Sequence, residues 1–252
     1  MLEKLIKKSW FYLILVFLLF MPSIVQHPVS PEQAPLVVQE VLQNPLIYKI
    51  KLLFPVAKMV LLLLFIGPLL WKNQFRKSFA IIVSIISVLI AFFQNISTDT
   101  RYGSAILLGN IIVMVMVILS WIYEIRACQN DFSKPRVQWW NIILLMLSFF
   151  AFWMPAQNGK LYFSVKDLLL NEAGLTYCMV TPFILGVLLL YYPRVNKVTL
   201  RITSFVGLLF GIINMLTWFV LNTEFWWMGI IHLPLLINSI VSLFLSKNLL
   251  NK

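Results

Sequence analysis

Eight runs of apolar residues, at 10–25, 52–71, 78–94, 104–122, 139–153, 175–192, 202–221 and 226–245, leave this chain only short polar connections. A hydrocarbon core of about 30 Å is crossed by roughly 20 apolar helical residues rising 1.5 Å each. Eight such runs in 252 residues exclude a single soluble core wrapped in polar surface. Composition points the same way, because 61% of residues are hydrophobic and 12% charged, well away from the balance of soluble domains. The expected fold is an all-α polytopic integral membrane protein with eight transmembrane helices. Several runs are short for a full span, so their ends are expected to extend by a few residues.

A formal charge of +11 would suggest a nucleic-acid partner in a soluble protein, and here the positions of the charges decide. Threaded eight times, the chain puts Lys4, Lys7, Lys8, Lys72, Arg76, Lys77, Arg126, Lys134, Arg136, Arg194, Lys197, Arg201, Lys247 and Lys252 on one side. The other side receives Lys49, Lys51, Arg101, Lys160 and Lys166, and Lys58 alone falls inside a span. Basic residues mark cytoplasmic loops, so both termini are expected in the cytoplasm of a protein of the cell membrane. The charge then reports insertion, and no nucleic-acid binding is expected. Lys4, Lys7 and Lys8 precede the first run, and no small-x-small cleavage site follows in "MPSIVQHP", so that run reads as an uncleaved signal anchor. Trp10, Trp71, Trp139, Trp140, Trp153, Tyr191, Tyr192, Trp226 and Trp227 stand at run ends, where amphipathic rings favour the headgroup level. Cys128 and Cys178 form no CxxC and fall in a cytoplasmic loop and a span, which makes a disulfide unexpected.

The chain also writes one phrase twice: "VQEVLQN" at 38–44 and "VKDLLLN" at 165–171, each followed eleven residues after its asparagine by Pro55 or Pro182. The first run of each half starts with aromatics after a basic stretch, "KKSWFY" or "RVQWWN", and ends in Met21-Pro22 or Met154-Pro155. The third runs exit through "STD" at 97–99 and "NTE" at 222–224. With four helices per half the repeat would be parallel, giving two tandem modules, 1–125 and 126–252. Against this, leucine- and valine-rich chains align with themselves easily, and few of the matches are identities. The repeated phrase places apolar residues at i, i+3 and i+4, the pattern of a short amphipathic segment lying at the outer interface.

The candidate binding residues are the polar groups inside spans. Lys58 is the intramembrane charge, and such residues are functional candidates. It lies about 9 Å inside the outer end of its span, a depth its stem can bridge by snorkelling. In the functional alternative, Lys51 and Lys58, seven apart, form a basic stripe for a phosphate headgroup or another anion. His232 could handle a proton, although a hydrogen-bonded structural histidine is the plainer reading. Asn110, Asn214, Thr217 and Asn238 are expected to join helices by hydrogen bonds, and Gly207 and Gly211, one turn beyond Thr203, to allow close approach. Pro182 and Pro234 are expected to bend their helices. Glu124, Arg126 and Asp131 gather in "YEIRACQNDF", read as a solvated cytoplasmic loop or a docking point for a soluble partner. Asn95 opens the sequon "NIS".

No P-loop, GxSxG, HExxH, CxxC or paired-carboxylate motif appears, so no catalytic set, cofactor or metal site is expected. Three functions fit. The first is a non-enzymatic transporter-like protein or membrane subunit of a transport or envelope assembly, with partners in the bilayer or the cytoplasm. The second is a membrane enzyme acting on a lipid-linked substrate, with Lys58, His232 and Glu40 or Asp167 at an outer headgroup. The third is a sensor or immunity protein whose outer segments meet a peptide or lipid.

Overall fold

Each apolar run forms a helix in the computed structural model, which describes residues 2–157 and 160–250. Lys252, one of the counted basic residues, lies outside them. The helices are α1 (Leu2–Leu5), α2 (Ser9–Leu19), α3 (Ala34–Gln43), α4 (Leu53–Trp71), α5 (Arg76–Leu89), α6 (Leu108–Ala127), α7 (Trp139–Trp153), α8 (Asp167–Leu170), α9 (Tyr177–Leu190), α10 (Lys197–Leu216) and α11 (Trp226–Leu250). Short strands β1 (Ile24–Val25), β2 (Ile96–Thr100) and β3 (Gly103–Ile106) form an antiparallel sheet in the order β1-β3-β2, and β4 (Ala156–Gln157) pairs with β5 (Lys160–Leu161).

Among the described residues, five helical stretches are long and apolar enough to cross a membrane: Leu53–Gln74, Arg76–Gln94, Leu108–Ala127, Lys197–Leu221 and Thr223–Leu249. A sixth is counted if Asp167–Leu175 and Tyr177–Leu190, which meet at 98°, make one broken span. Ser9–Leu19 and Trp139–Trp153 are shorter apolar helices. Two boundaries differ from the sequence reading. Residues 104–106, read as the start of the fourth helix, are instead part of β3, because Gly103 at φ +75° turns the chain back to pair with β2. The first helix stops at Leu19, since Pro22 lacks the N–H that would continue it.

Packing centres on α9, with 13 of its 14 residues buried. A helix apolar on every side lowers its free energy only when other helices surround it, and α7, α10 and α11 do so while α4 touches its remaining side. The largest cluster of buried apolar side chains runs through α9, α10 and α5 to α6. Phe79, Trp121, Phe132 and Tyr191 continue it as a chain of ring contacts toward one end. The Trp121 indole N–H donates to Thr203 Oγ1 at 3.1 Å, joining α6 to α10 across the middle of the chain.

The two ends of the bundle are chemically different. At the basic end, Asn73 donates to Asp131 Oδ1 at 2.9 Å and accepts from the Phe132 N–H at 2.6 Å. Asp131 N–H donates to the Arg194 carbonyl at 2.8 Å, and Glu3 accepts from the Tyr123 hydroxyl at 3.0 Å. Loops 72–75, 128–138 and 191–196 are thereby tied to the N-terminal segment. At the sheet end, β1–β3, α3, the 45–52 segment and the 166–176 segment lie together. There Ser97 Oγ donates to the Asn44 carbonyl at 2.5 Å, Glu40 pairs with Arg101, and the Gln94 side chain accepts from the Tyr177 N–H at 2.9 Å.

Candidate functional site

The chemistry densest in charge inside the bundle is at Lys58. The lysine is 0% exposed, so it does not snorkel to the surface. Its burial follows from the segment just before α9. Asn171 donates to the carbonyls of Trp153 at 2.7 Å and Met154 at 3.1 Å, while its Oδ1 accepts from the Ala173 N–H at 3.2 Å. Those bonds clamp the 171–175 turn to the end of α7. Gly174 then lets the turn sit on α4, because a Cβ there would stand 2.9 Å from Ala57 Cβ and 3.0 Å from Lys58 N. Tyr48 closes the near side. Thr176 Oγ1 already donates to the Glu172 carbonyl at 3.0 Å, so the Tyr48 hydroxyl donates to Thr176 Oγ1, also at 3.0 Å. Desolvation, with the neighbouring Glu172 charge, pushes the Tyr48 phenol above its ordinary range and keeps it neutral.

Within this enclosure Lys58 Nζ donates to the Phe152 carbonyl and, at 3.2 Å, to the Asp167 carbonyl, and lies 4.4 Å from the centre of the Phe152 ring. Phe152 is in the last turn of α7, where carbonyls lack helical partners and the helix dipole favours a cation. The Asp167 and Glu172 side chains are close enough to act on Lys58 electrostatically, and Asp167 Oδ2 is buried without a hydrogen-bond partner. One cation thus faces two carboxylates and two carbonyls. Such a site leaves no positive charge over for a bound anion, and its chemistry is that of a latch: one side chain holds a segment of the second half against a helix of the first.

The other sequence candidates lie elsewhere. Lys51 is exposed, so it and Lys58 do not share one surface stripe. Asn110 donates to Asn95 Oδ1 at 2.9 Å, and Asn95 donates to the Ala91 carbonyl at 3.0 Å. The sequon side chain is therefore buried and engaged at both ends. His232, 7% exposed, uses Nδ1–H toward the Met228 carbonyl at 2.7 Å and lies against the Trp218 ring. Asn214 joins the same region, donating to the Phe210 carbonyl at 2.8 Å and to Cys178 Sγ at 3.4 Å, and accepting from Trp218 Nε1 at 3.3 Å. Asn238 donates to Ser148 Oγ at 2.8 Å and to the Pro182 carbonyl at 3.0 Å, linking α11, α7 and α9. Its Oδ1, with Ser239 Oγ and Ser242 Oγ, is buried without a protein partner.

Sequence reasoning missed two structural groups. Glu124, read in a solvated loop, is 1% exposed and accepts from the N–H groups of Asn130 at 2.8 Å and Gln129 at 3.2 Å and from Asn196 Nδ2. Asn171 was in view as the last letter of the repeated phrase, but its clamp on α7 was not. Among the described residues, no group of three or more His, Cys, Asp or Glu side chains is placed to hold a metal ion. The chain matches no protein-family model, no curated protein and no solved structure.

Proposed function

We propose that the chain is a non-enzymatic, transporter-like membrane protein or the membrane subunit of a transport or envelope assembly. In this reading it is threaded eight times through the cell membrane, with both termini cytoplasmic, and the bent 165–175 segment is its outer gate. The observation that carries the gate is the Lys58 latch, since a buried side chain on α4 donates to the Asp167 carbonyl of the segment, while Asp167 Oδ2 beside it is left without a partner. A cation in low dielectric binds strongly to whatever faces it, and a change of partner is energetically large.

Helix directions support the threading. α2 runs antiparallel along α6: Glu3 meets Tyr123 at one end, and at the other a Cβ on Gly109 would stand 2.5 Å from the Leu19 carbonyl oxygen. The short first helix, with α1 before it, therefore covers most of the length of a helix that is itself long enough to cross. α7 lies along α9 in the same way, from Arg136 N–H on the Leu190 carbonyl at 2.6 Å to Ser148 on the Pro182 carbonyl at 2.8 Å. The duplication gains one support from the backbone. The third helix of each half ends in a five-residue π-turn, 90–94 and 217–221, followed by Asn95 or Asn222, and these are 127 positions apart, as are Asn44 and Asn171. The halves have diverged around it: α9 is packed on all sides, whereas its counterpart α4 keeps one face open.

The test is labelling of Leu175→Cys, in a background lacking Cys128 and Cys178, by a membrane-impermeant maleimide on intact cells. A gate gives slow labelling that accelerates at least tenfold when Lys58→Met removes the latch. A cysteine at 175 that stays unreactive in both backgrounds means a static segment, and the gate falls.

A further inference from the structure

Away from the latch, a groove of about 440 Å³ lies where α2 meets α10 and α11, at the basic end. Its charged mouth and apolar length are arranged in order. Lys7 and Arg201, with Ser9 and Tyr12 between them in sequence order, give it a polar part, and Leu13, Val16, Phe205 and Leu243 give it an apolar one. Leu13 and Val16 lie one and two turns into α2, and Phe205 one turn past Arg201 in α10, so the apolar wall runs down the helices from the cations. We propose that this groove binds an anionic phospholipid, its phosphate at Lys7 and Arg201 and an acyl chain along α2. This rests on the threading proposed above only for the leaflet, which is then the inner one.

Three features argue for a lipid. Arg201 is held in place rather than free to swing: its Nε donates to the Ile6 carbonyl at 3.2 Å and to the Tyr12 hydroxyl at 2.5 Å, and Nη1 to Ser246 Oγ at 3.2 Å. Every one of those acceptors is neutral, and among the described residues no carboxylate makes an ion pair with Arg201 or Lys7. The Arg201 charge is therefore fixed without being neutralised, with Nη2 still available to an anion. Beside it α2 begins after Lys8 with no side-chain cap, so its first N–H groups add to the positive potential at the same mouth. Finally, the apolar wall explains why the anion would be amphiphilic, because a free phosphate would leave the length of the groove unused.

The experiment measures lipid retention by the purified full chain in native mass spectrometry, titrating phosphatidylglycerol against phosphatidylcholine. Wild type should retain phosphatidylglycerol preferentially. Lys7→Gln, at an exposed position with no hydrogen bond to lose, should weaken that lipid about fivefold, the worth of one basic group at an anionic lipid surface. Val16→Trp, which fills the groove and leaves both cations, should abolish the preference. Millimolar inorganic phosphate should not displace the lipid. Equal retention of the two lipids by wild type, or a preference unchanged in both variants, overturns the proposal, as does displacement by phosphate alone. Because retention is read in detergent, a failed threading would leave these outcomes untouched, and the reverse also holds.

Discussion

A lysine enclosed in an apolar bundle is stable as a cation only while opposite charge and carbonyl oxygens replace its water. At Lys58 that replacement comes from Phe152, Asp167 and Glu172, all in the other half of the chain. Removing the cation while keeping the carboxylates should therefore cost more than removing one charge of each sign. We expect Lys58→Met to lower the apparent melting temperature, by about 3 kcal/mol in stability, and Lys58→Met with Asp167→Asn to recover part of the loss. A single variant as stable as wild type would remove the electrostatic account. Glu124 gives a second test, since three donors converge on it inside the protein. Glu124→Ala orphans all of them and should cost at least 3 kcal/mol, against about 1 for Glu124→Gln, which keeps one acceptor oxygen. Equal unfolding midpoints for the two would contradict this. Asp131 supplies a pH dependence in the same loop. The Ser133 N–H and hydroxyl, then the Asn73 amide and the Arg194 guanidinium, lower its carboxyl from 3.8 to about 2. A depressed carboxylate stabilises above its unfolded value and stops doing so as pH falls through the folded one. Protease resistance of the 128–138 loop should hold from pH 7 to 5 and decline only between about 4 and 2.

At the scale of elements, the helices were legible because apolar length decides them, and what interrupts them was not. Residues 104–106 open an apolar run that looks helical, yet Gly103 turns them into a strand whose Ala105 and Ile106 pair with Val25 and Ile24, a contact no local pattern announces. The 165–171 phrase was legible as amphipathic, but its fold-back onto α4 depends on Gly174 meeting Ala57, far apart in sequence. That close approach makes its own prediction. Gly174→Ala puts a methyl 2.9 Å from Ala57 Cβ, and neither wall is a flexible side chain able to swing aside. It should destabilise by about 1–3 kcal/mol and raise maleimide labelling of Leu175→Cys, whereas Gly174→Ala paired with Ala57→Gly should recover most of both. Recovery of neither would mean that Ala57 is not the wall the methyl meets. Glu124 was misread for a related reason: it leads into the polar stretch that ends in Gln129, Asn130 and Asp131, and only its contacts with Asn130 and Asn196 show it to be buried.

For the whole molecule, the proposed threading depends on α2, which has only 11 residues. An isolated helix of that length rises about 16 Å, roughly half of the hydrocarbon core, so on length alone it would not cross. Its surroundings argue otherwise. Arg201, near the start of α10, bonds to the Ile6 carbonyl, and Glu3 bonds to Tyr123 near the end of α6, so the N-terminus sits with loops rich in Lys and Arg. β1, which follows α2, pairs with β3 immediately before α6, so the chain has reached the opposite end by Ile24. If α2 did not cross, Lys4, Lys7 and Lys8 would move to the poorer side, and the charge asymmetry that orients the other helices would shrink. Reporter fusions after Lys8, at Arg136 and at Lys197 should therefore read cytoplasmic, and fusions at Gln157 and Thr223 external. An external reading after Lys8 with the other four unchanged would make α2 a surface helix and reduce the proposed spans to seven. An inversion at Arg136 or Gln157 would instead remove α7, the other short helix, and with it the proposed parallel arrangement of two four-helix halves.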